Sequence, residues 1–411
     1  MNNIASSWCE SANMKLEIIT PVSIAADYSL TPWFYIFNPK SGEVFYLNTM
    51  EWFKFLQRKR ILSAYENELA KGKRGKVSLY EWLCDRIGAH SITEQQLGAA
   101  ILSKTKAIQN KDLLKKEQRK SLNNIKAHIR LVDGTIYIPG SSIKGSIRTA
   151  ILYHILIQNK DMKMRYWREV KRVLINDDRE YISKDKVKDE LGKIEESLKK
   201  ELIFKLQAKD KDTGDLNYRS GALADVLSGL RCSDASPIGE VKTEILQKID
   251  LTLDESQLQN KISSFRESIL PGSLFRFSIS IEKNKLNVIG IHSVDELVDI
   301  ITQYYDFIND TLATAFMSFH SEVFDGIEEG NFYLGGNTGF LHKTLIMALA
   351  PSVKEGTGVI RRFLNLSVGK KRAFKKRKKV FETFSPRTLK ATMYNGKLVL
   401  TGGVHISVEE S

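Results

Sequence analysis

The run YIPGSSIKGSIRTAILYHIL, residues 137–156, puts two cations, Lys144 and Arg148, four residues apart just inside a helix that follows a Pro-Gly turn. The first four backbone N–H groups of a helix lack intrahelical partners and the helix dipole is positive there, so phosphate is the anion such a start invites. Residues four apart share a face, and Ile143, Ile147, Ile151 and Ile155 repeat at the same spacing as a separate apolar stripe. The helix can bury one side and present cations beside its start. An ordinary amphipathic helix after a turn is the competing reading. Gly140 and Gly145 have the spacing of a Walker loop, but Ser146 stands where the phosphate-gripping Lys is required. Nucleotide hydrolysis is not expected. What remains is backbone recognition of phosphate, with Ser141 and Ser142 as caps or as sugar and phosphate contacts.

A second glycine loop, Gly335-Gly336-Asn337-Thr338-Gly339, breaks the chain before FLHKTLIMAL, read as a second helix carrying His342 and Lys343. Glycine at such positions lets a nucleic-acid backbone approach where a side chain would hold it away. The run GKKRAFKKRKK, residues 369–379, adds eight cations within ten positions from Lys370, Lys371 and Lys375 among them. A solvated loop or helix face is the competing reading of such a run; Phe374 inside it is taken as a core anchor rather than a base-stacking ring. The formal charge of +13, from 62 Lys and Arg against 49 Asp and Glu, favours a polyanionic partner. Binding of this kind follows the path of a strand rather than its base sequence.

A metal-independent ribonuclease needs a His or Lys beside a ribose 2′-hydroxyl, and a metal-dependent one needs clustered carboxylates. His342, flanked by Gly339 and Lys343, is the histidine best placed for such chemistry, and His154 and His128 read as structural. Asp234 reads as a turn or cap residue beside Ser233 and Ser236. Asp212 and Asp215 around Gly214 are too few ligands for a calcium loop. Cys9, Cys84 and Cys232 are scattered without a CxxC, against a disulfide framework or zinc knuckle. No metal or cofactor is expected. No apolar run is long enough to span a membrane and the N-terminus lacks signal-peptide order, so a soluble cytoplasmic protein is expected.

The 411 residues suffice for two or three domains. KLEIITPVSIA, PWFYIFN and EVFYLN read as strands, followed by a helix from about Thr49 to Arg60. Residues 64–126 read as charged and helical, IRLVDGTIYIP as a hairpin centred on Asp133-Gly134, and 161–215 as a Lys/Glu-rich helical insertion with a loose tip. FRFSISI alternates as a strand, DELVDIITQYYDFINDTLATAF makes a long amphipathic helix, and TLKATMYNGKLVLTGGVHISV closes with a hairpin turning at Asn395-Gly396. The class expected is α+β: two units, each with strands, a glycine loop and a helix.

TPVSIA, IPGSSIKGSIRTA, CSDASP, PGSLFRFSISI, GGNTGFLHKT and SPRTLKAT occur in an order that resembles the RAMP superfamily of CRISPR proteins. More narrowly, the chain is similar to the fifth Csm subunit, which caps type III-A effector complexes. The resemblance implies two ferredoxin-like, RNA-recognition-type domains, at 14–240 (with the insertions at about 64–126 and 161–215) and 241–411. It implies a non-catalytic subunit at the 3′ end of the guide RNA (crRNA), supporting crRNA maturation and antiviral defence. The implied partners are crRNA, the backbone RAMP subunit, the small Csm subunit and recruited host nucleases. The RNA-facing loops then fall on Gly140–Gly145 with Lys144 and Arg148, and on Gly335–Gly339 with Lys343. Asp27, after the first strand, falls near where the backbone subunit is expected to carry its cleaving aspartate. A metal-dependent or His-assisted endoribonuclease processing the guide RNA is the alternative. The aromatic signature of a conventional RNA-recognition motif is missing, so the loops rather than the sheet face should carry binding.

Overall fold

The computed structural model describes residues 8–71, 78–110, 114, 122–175, 184–209, 216–218, 221–253, 264–368 and 384–409. The basic run with Lys371, Phe374 and Lys375, and the tip with Asp212 and Asp215, lie outside the described residues. The first strands are β1 (Cys9–Ile18), β2 (Tyr35–Phe37) and β3 (Glu43–Leu47). Helix α1 (Thr49–Arg58) starts where the Asn48 side chain accepts from the Glu51 N–H, and α3 (Leu79–Ile87), after α2 (Leu62–Ala70), starts where Ser78 does the same for Glu81. A short α4 (Glu94–Leu97) leads into β4 (Ile101–Ile108) and β5 (Ile125–Lys126).

The expectation of a helical segment throughout 64–126 is therefore corrected. In ILSKTKAI, Leu102, Lys104 and Lys106 are exposed and alternate with partly buried Ile101, Ser103 and Thr105. That is a two-residue period, and the charges on one face had masked it.

Helices α5 (Gly140–Gln158), α6 (Lys160–Ile175) and α7 (Lys184–Ile203) follow, then strands β6 (Gln207–Lys209) and β7 (Leu216–Tyr218). Buried Tyr166, Trp167, Val170 and Leu174 of α6, with Val187, Leu198 and Leu202 of α7, join the main core, so the Lys/Glu-rich insertion is anchored by one apolar side. Next come β8 (Leu230–Cys232), β9 (Ser236–Ile238), β10 (Thr243–Gln247), β11 (Ile249–Thr252), β12 (Phe265–Ile269) and β13 (Leu274–Glu282). The last third holds α8 (Lys283–Leu286), α9 (Val294–Phe316), β14 (Phe332–Tyr333), α10 (Ile346–Leu349), α11 (Val353–Val368), β15 (Thr388–Tyr394), β16 (Lys397–Leu400) and β17 (Gly403–Val408).

The fold is α+β. Its first sheet runs β14-β17-β1-β13-β8, with antiparallel neighbours throughout and β9 also on β13. Taken in chain order, β1-α5-β8-β13-α9-β17 is a βαββαβ unit with its strands ordered fourth, first, third, second, the ferredoxin-like arrangement. Its buried face carries Met14, Leu16, Ile18, Phe275, Phe277, Ile279, Val404 and Ile406, which share one core with Ile143, Ile147 and Ile151 of α5 and Leu297, Ile301 and Ile308 of α9. The sheets do not divide at residue 240: β1 lies between β13 and β17, strands from the other end of the chain.

The second sheet runs β2-β3-β4-β10-β12-β5, with β4/β10 and β12/β5 parallel. Helices α1 to α3 cover it through a cluster in which Tyr65 meets Trp33, Trp52 and Trp82 with ring centroids 5.8–5.9 Å apart. The expected closing hairpin forms as β15-β16 around Asn395 and Gly396, both at positive φ, beside β11, while β17 leaves it for the first sheet.

Candidate nucleic-acid interface

The two glycine segments, almost 200 residues apart, open onto one cleft of about 480 Å³. Ser142, Gly145, Ser146 and Thr149 of α5 form one wall, and Gly335, Gly336, Thr338, His342 and Lys343 form another. Ile24, Ala25 and Arg266 contribute between them, and Ile301, Tyr304, Tyr305, Phe332, Tyr333 and Leu334 make an apolar end.

Backbone packing within the chain holds the second glycine loop. Gly335 sits at φ +87, and a Cβ on it would stand 2.6 Å from the Ser23 carbonyl oxygen. Gly336 donates its N–H to that same carbonyl at 2.7 Å, and Thr401 Oγ1 donates to the Asn337 carbonyl at 3.0 Å. After the loop the chain makes a short 3₁₀ turn, Leu341–Lys343, and only then the four-residue α10. The single helix expected over FLHKTLIMAL is thus corrected: β-branched Thr344 is extended, at φ −136 and ψ 145, and breaks it.

The start of α5 departs from a phosphate seat in an instructive way. Its Gly140 N–H already donates to Asp234 Oδ1 at 2.7 Å, so a carboxylate of the chain occupies the helix start. Asp234 is a cap, as its type suggested, but for a helix 94 residues earlier. A Cβ on Gly140 would lie 2.4 Å from the Cys232 carbonyl oxygen, which makes Gly140 a packing glycine. Lys144 Nζ donates to the Leu230 carbonyl at 2.6 Å and Arg148 pairs with Asp225 at 3.8 Å. Both cations therefore lie on the β8 side of the helix, away from the face that Ser142, Gly145 and Ser146 turn to the cleft; Ser141 is exposed outside it. Gly145 is the contrast to Gly140, since a Cβ there would meet nothing within 4 Å.

The positive charge of the cleft comes from Arg266 and Lys343. Arg266 is aimed by strand alternation: its neighbour Glu267 turns to the opposite side, where it accepts from Arg130 at 2.5 Å, Thr243 at 3.0 Å and the His128 N–H at 2.9 Å. Neither Arg266 nor Lys343 forms an ion pair with a described residue. Desolvation at the cleft pulls half-buried Arg266 and the more exposed Lys343 below their ordinary values, and Arg266 beside it pulls Lys343 down further. Two cations that destabilise each other in this way are relieved by an anion between them.

The sequence profile of the RAMP superfamily matches residues 15–338. The chain belongs to the RAMP superfamily. In fold it is similar to a chain of a Csm–crRNA–target RNA ternary complex from a type III-A CRISPR-Cas system, at 20% identity, with 97% of this chain and 100% of that one covered and a TM-score of 0.60. It is also similar to Csm5 of T. onnurineus, at 18% identity, with 95% and 99% covered and a TM-score of 0.58. No curated protein matches it. Among the described residues no helix is long and apolar enough to cross a membrane.

In this RAMP chain the outward face of the first sheet is polar. Ser11 pairs with Ser280, Asn13 with Ser278, and Lys15 with Arg276 and Ser407, so the strands offer no aromatic platform there. His342 lines the cleft with both ring nitrogens buried and without a partner among the described residues, its ring edge to face with Tyr333 at 4.2 Å. Burial, with Lys343 adjacent, pushes its pKa down to about 3, so the ring is neutral at physiological pH. His154 lies on α5 between Gln158 and Gln303, and His128 is buried beside Glu267. Asp27 is exposed, two residues beyond the cleft wall at Ala25. Among the described residues, no three His, Cys, Asp or Glu side chains are grouped to hold a metal ion. Arg266, Tyr304, Tyr305 and Tyr333 are cleft residues that the linear sequence did not mark. For Arg266 the available signal is the alternation in FRESI, which faces Arg and Glu to opposite sides.

Proposed function

We propose that this RAMP protein is an RNA-binding assembly subunit of a type III-A CRISPR effector complex that holds crRNA by its backbone and caps its 3′ end. The observation that carries the reading is the meeting of both glycine segments at one cleft with two cations, Arg266 and Lys343, that form no ion pair among the described residues. A single strand passing there gains phosphate contacts at the rim and close approach at Gly145, with little call on base identity along its path. Superfamily membership and the likeness of fold to Csm5 and to a chain of a Csm–crRNA–target RNA complex support the biological setting. On this reading its partners are crRNA, the backbone RAMP subunit and other Csm subunits, with host nucleases recruited for trimming, and its own role is non-catalytic.

The test is binding of labelled crRNA to the purified chain over a range of salt, with and without divalent metal. Each phosphate contact removed from a single strand lowers the slope of log K against log salt by about 0.7, so Arg266→Ala with Lys343→Ala should lower it by about 1.4. An unchanged slope would take the cleft out of the interface. Cleavage of the RNA, lost in His342→Ala or Asp27→Ala, would replace this reading with the endoribonuclease one.

A further inference from the structure

We propose that the apolar end of the cleft seats one RNA base splayed out of the strand, and that His342 reads the edge of that base by hydrogen bonds. This rests on the RNA-binding reading above and adds a specificity-determining residue to it.

The cleft is chemically two-sided. Arg266 and Lys343 suffice for a phosphate, but about 480 Å³ is far more room than a phosphate needs, and it falls within the range of sites that enclose small organic ligands. The far wall is apolar or aromatic, with Ile301, Tyr304, Phe332 and Tyr333. The tyrosine hydroxyls there are already engaged: Tyr304 donates to the His342 carbonyl, Tyr305 to the Ile327 carbonyl and Tyr333 to Asn309. Those rings therefore present carbon surface to whatever enters.

His342 is the polar group left over. Buried polar atoms are nearly always hydrogen-bonded, and here both ring nitrogens lack a partner among the described residues. A neutral imidazole has one donor and one acceptor. Phosphate and carboxylate oxygens only accept, so an anion satisfies half of it at most. The two ring nitrogens point to different sides of the imidazole, so one base edge meets one of them, and it can offer that nitrogen a donor or an acceptor where a phosphate offers only an acceptor, while its faces match the aromatic and apolar wall. Ser142 and Ser146 line the same cleft, and their hydroxyls suit contact with a ribose.

The experiment is anisotropy titration of the full chain with crRNA carrying one abasic nucleotide at successive positions, followed by all four bases at the sensitive position. The expected result is a single position where the abasic substitution weakens binding roughly tenfold, with a preference among bases of about fivefold. His342→Phe, which keeps a ring against Tyr333, should collapse that preference, and His342→Gln, which keeps a donor and an acceptor, should recover part of it; thermal melts establish that both variants fold. If no position responds while Arg266→Ala with Lys343→Ala still flattens the salt slope, the base seat is wrong and backbone binding stands. A base preference that survives His342→Phe also overturns it. If the unsubstituted chain does not bind crRNA, the RNA reading itself fails and takes this inference with it.

Discussion

The guanidinium of Arg266 lies where a side chain on Gly336 would be: a Cβ built on Gly336 would stand 2.7 Å from Arg266 Nη1. One residue earlier, the space beside Gly335 is filled by the backbone carbonyl of Ser23. The glycine loop thus does two jobs with adjacent residues. Gly335 lets the chain close on itself, and Gly336 leaves room for the cation that faces the cleft.

These neighbours should respond differently to the same substitution. Gly336→Ala displaces the end of a flexible side chain, so it should fold with a stability change under about 1 kcal/mol while weakening RNA binding. Gly335→Ala forces a Cβ against backbone at a positive φ and should cost about 2 kcal/mol or more. Urea midpoints and crRNA titrations of the two variants check this; equal stability losses would contradict it.

Gly145 is a glycine inside a helix that the fold itself does not require. Alanine there has open space and better helix propensity, so Gly145→Ala should stabilise the chain by about 0.5–1 kcal/mol. The same methyl group stands in the cleft and should weaken crRNA binding. A variant that is both more stable and equally tight would show that RNA does not approach this helix.

Lys144 and Arg148 are engaged with Leu230 and Asp225, away from the cleft. Lys144→Ala with Arg148→Ala should lower the melting temperature through the lost contacts and leave the salt slope of RNA binding as it is. A slope lowered by about 1.4 would restore these residues to the interface.

The pH dependence follows from His342. Its folded pKa of about 3 is below the ordinary 6.5, so the unfolded chain takes up a proton that the folded chain refuses. That contribution to stability is complete above pH 6.5 and is lost as the pH falls from there toward 3, at up to about 1.4 kcal/mol per pH unit. Burial lowers His128 as well, which adds loss in the same direction. Denaturant midpoints between pH 7 and 5 should fall more steeply for the wild type than for His342→Phe. Equal steepness would mean that His342 is hydrated and titrates normally.

How much of this was legible depended on how local the cause was. The stripe Ile143, Ile147, Ile151 gave α5 because a helix repeats every 3.6 residues whatever surrounds it. The second glycine loop was visible because positive φ has a residue signature, and it does reach the cleft with Thr338, His342 and Lys343. The orientation of α5 was not visible. Asp234, which occupies its start, and Leu230, which holds Lys144, come from β8 and the turn after it, and their positions are set by sheet pairing with β13. Arg266 was silent for the same reason, since its direction depends on which side of β12 faces Val22 and the glycine loop. The ferredoxin-like order itself is spread from Cys9 to Val408, and no local pattern announces that β1 and β17 are neighbours.

The most direct measurement of the central claim is a crosslink map between this chain and crRNA carrying photoreactive nucleotides. Crosslinks should concentrate on peptides containing Ser142–Thr149, Arg266 and Gly335–Lys343. Crosslinks concentrated instead on the polar sheet face, at Ser11, Lys15 and Ser280, with none at the cleft, would contradict the account.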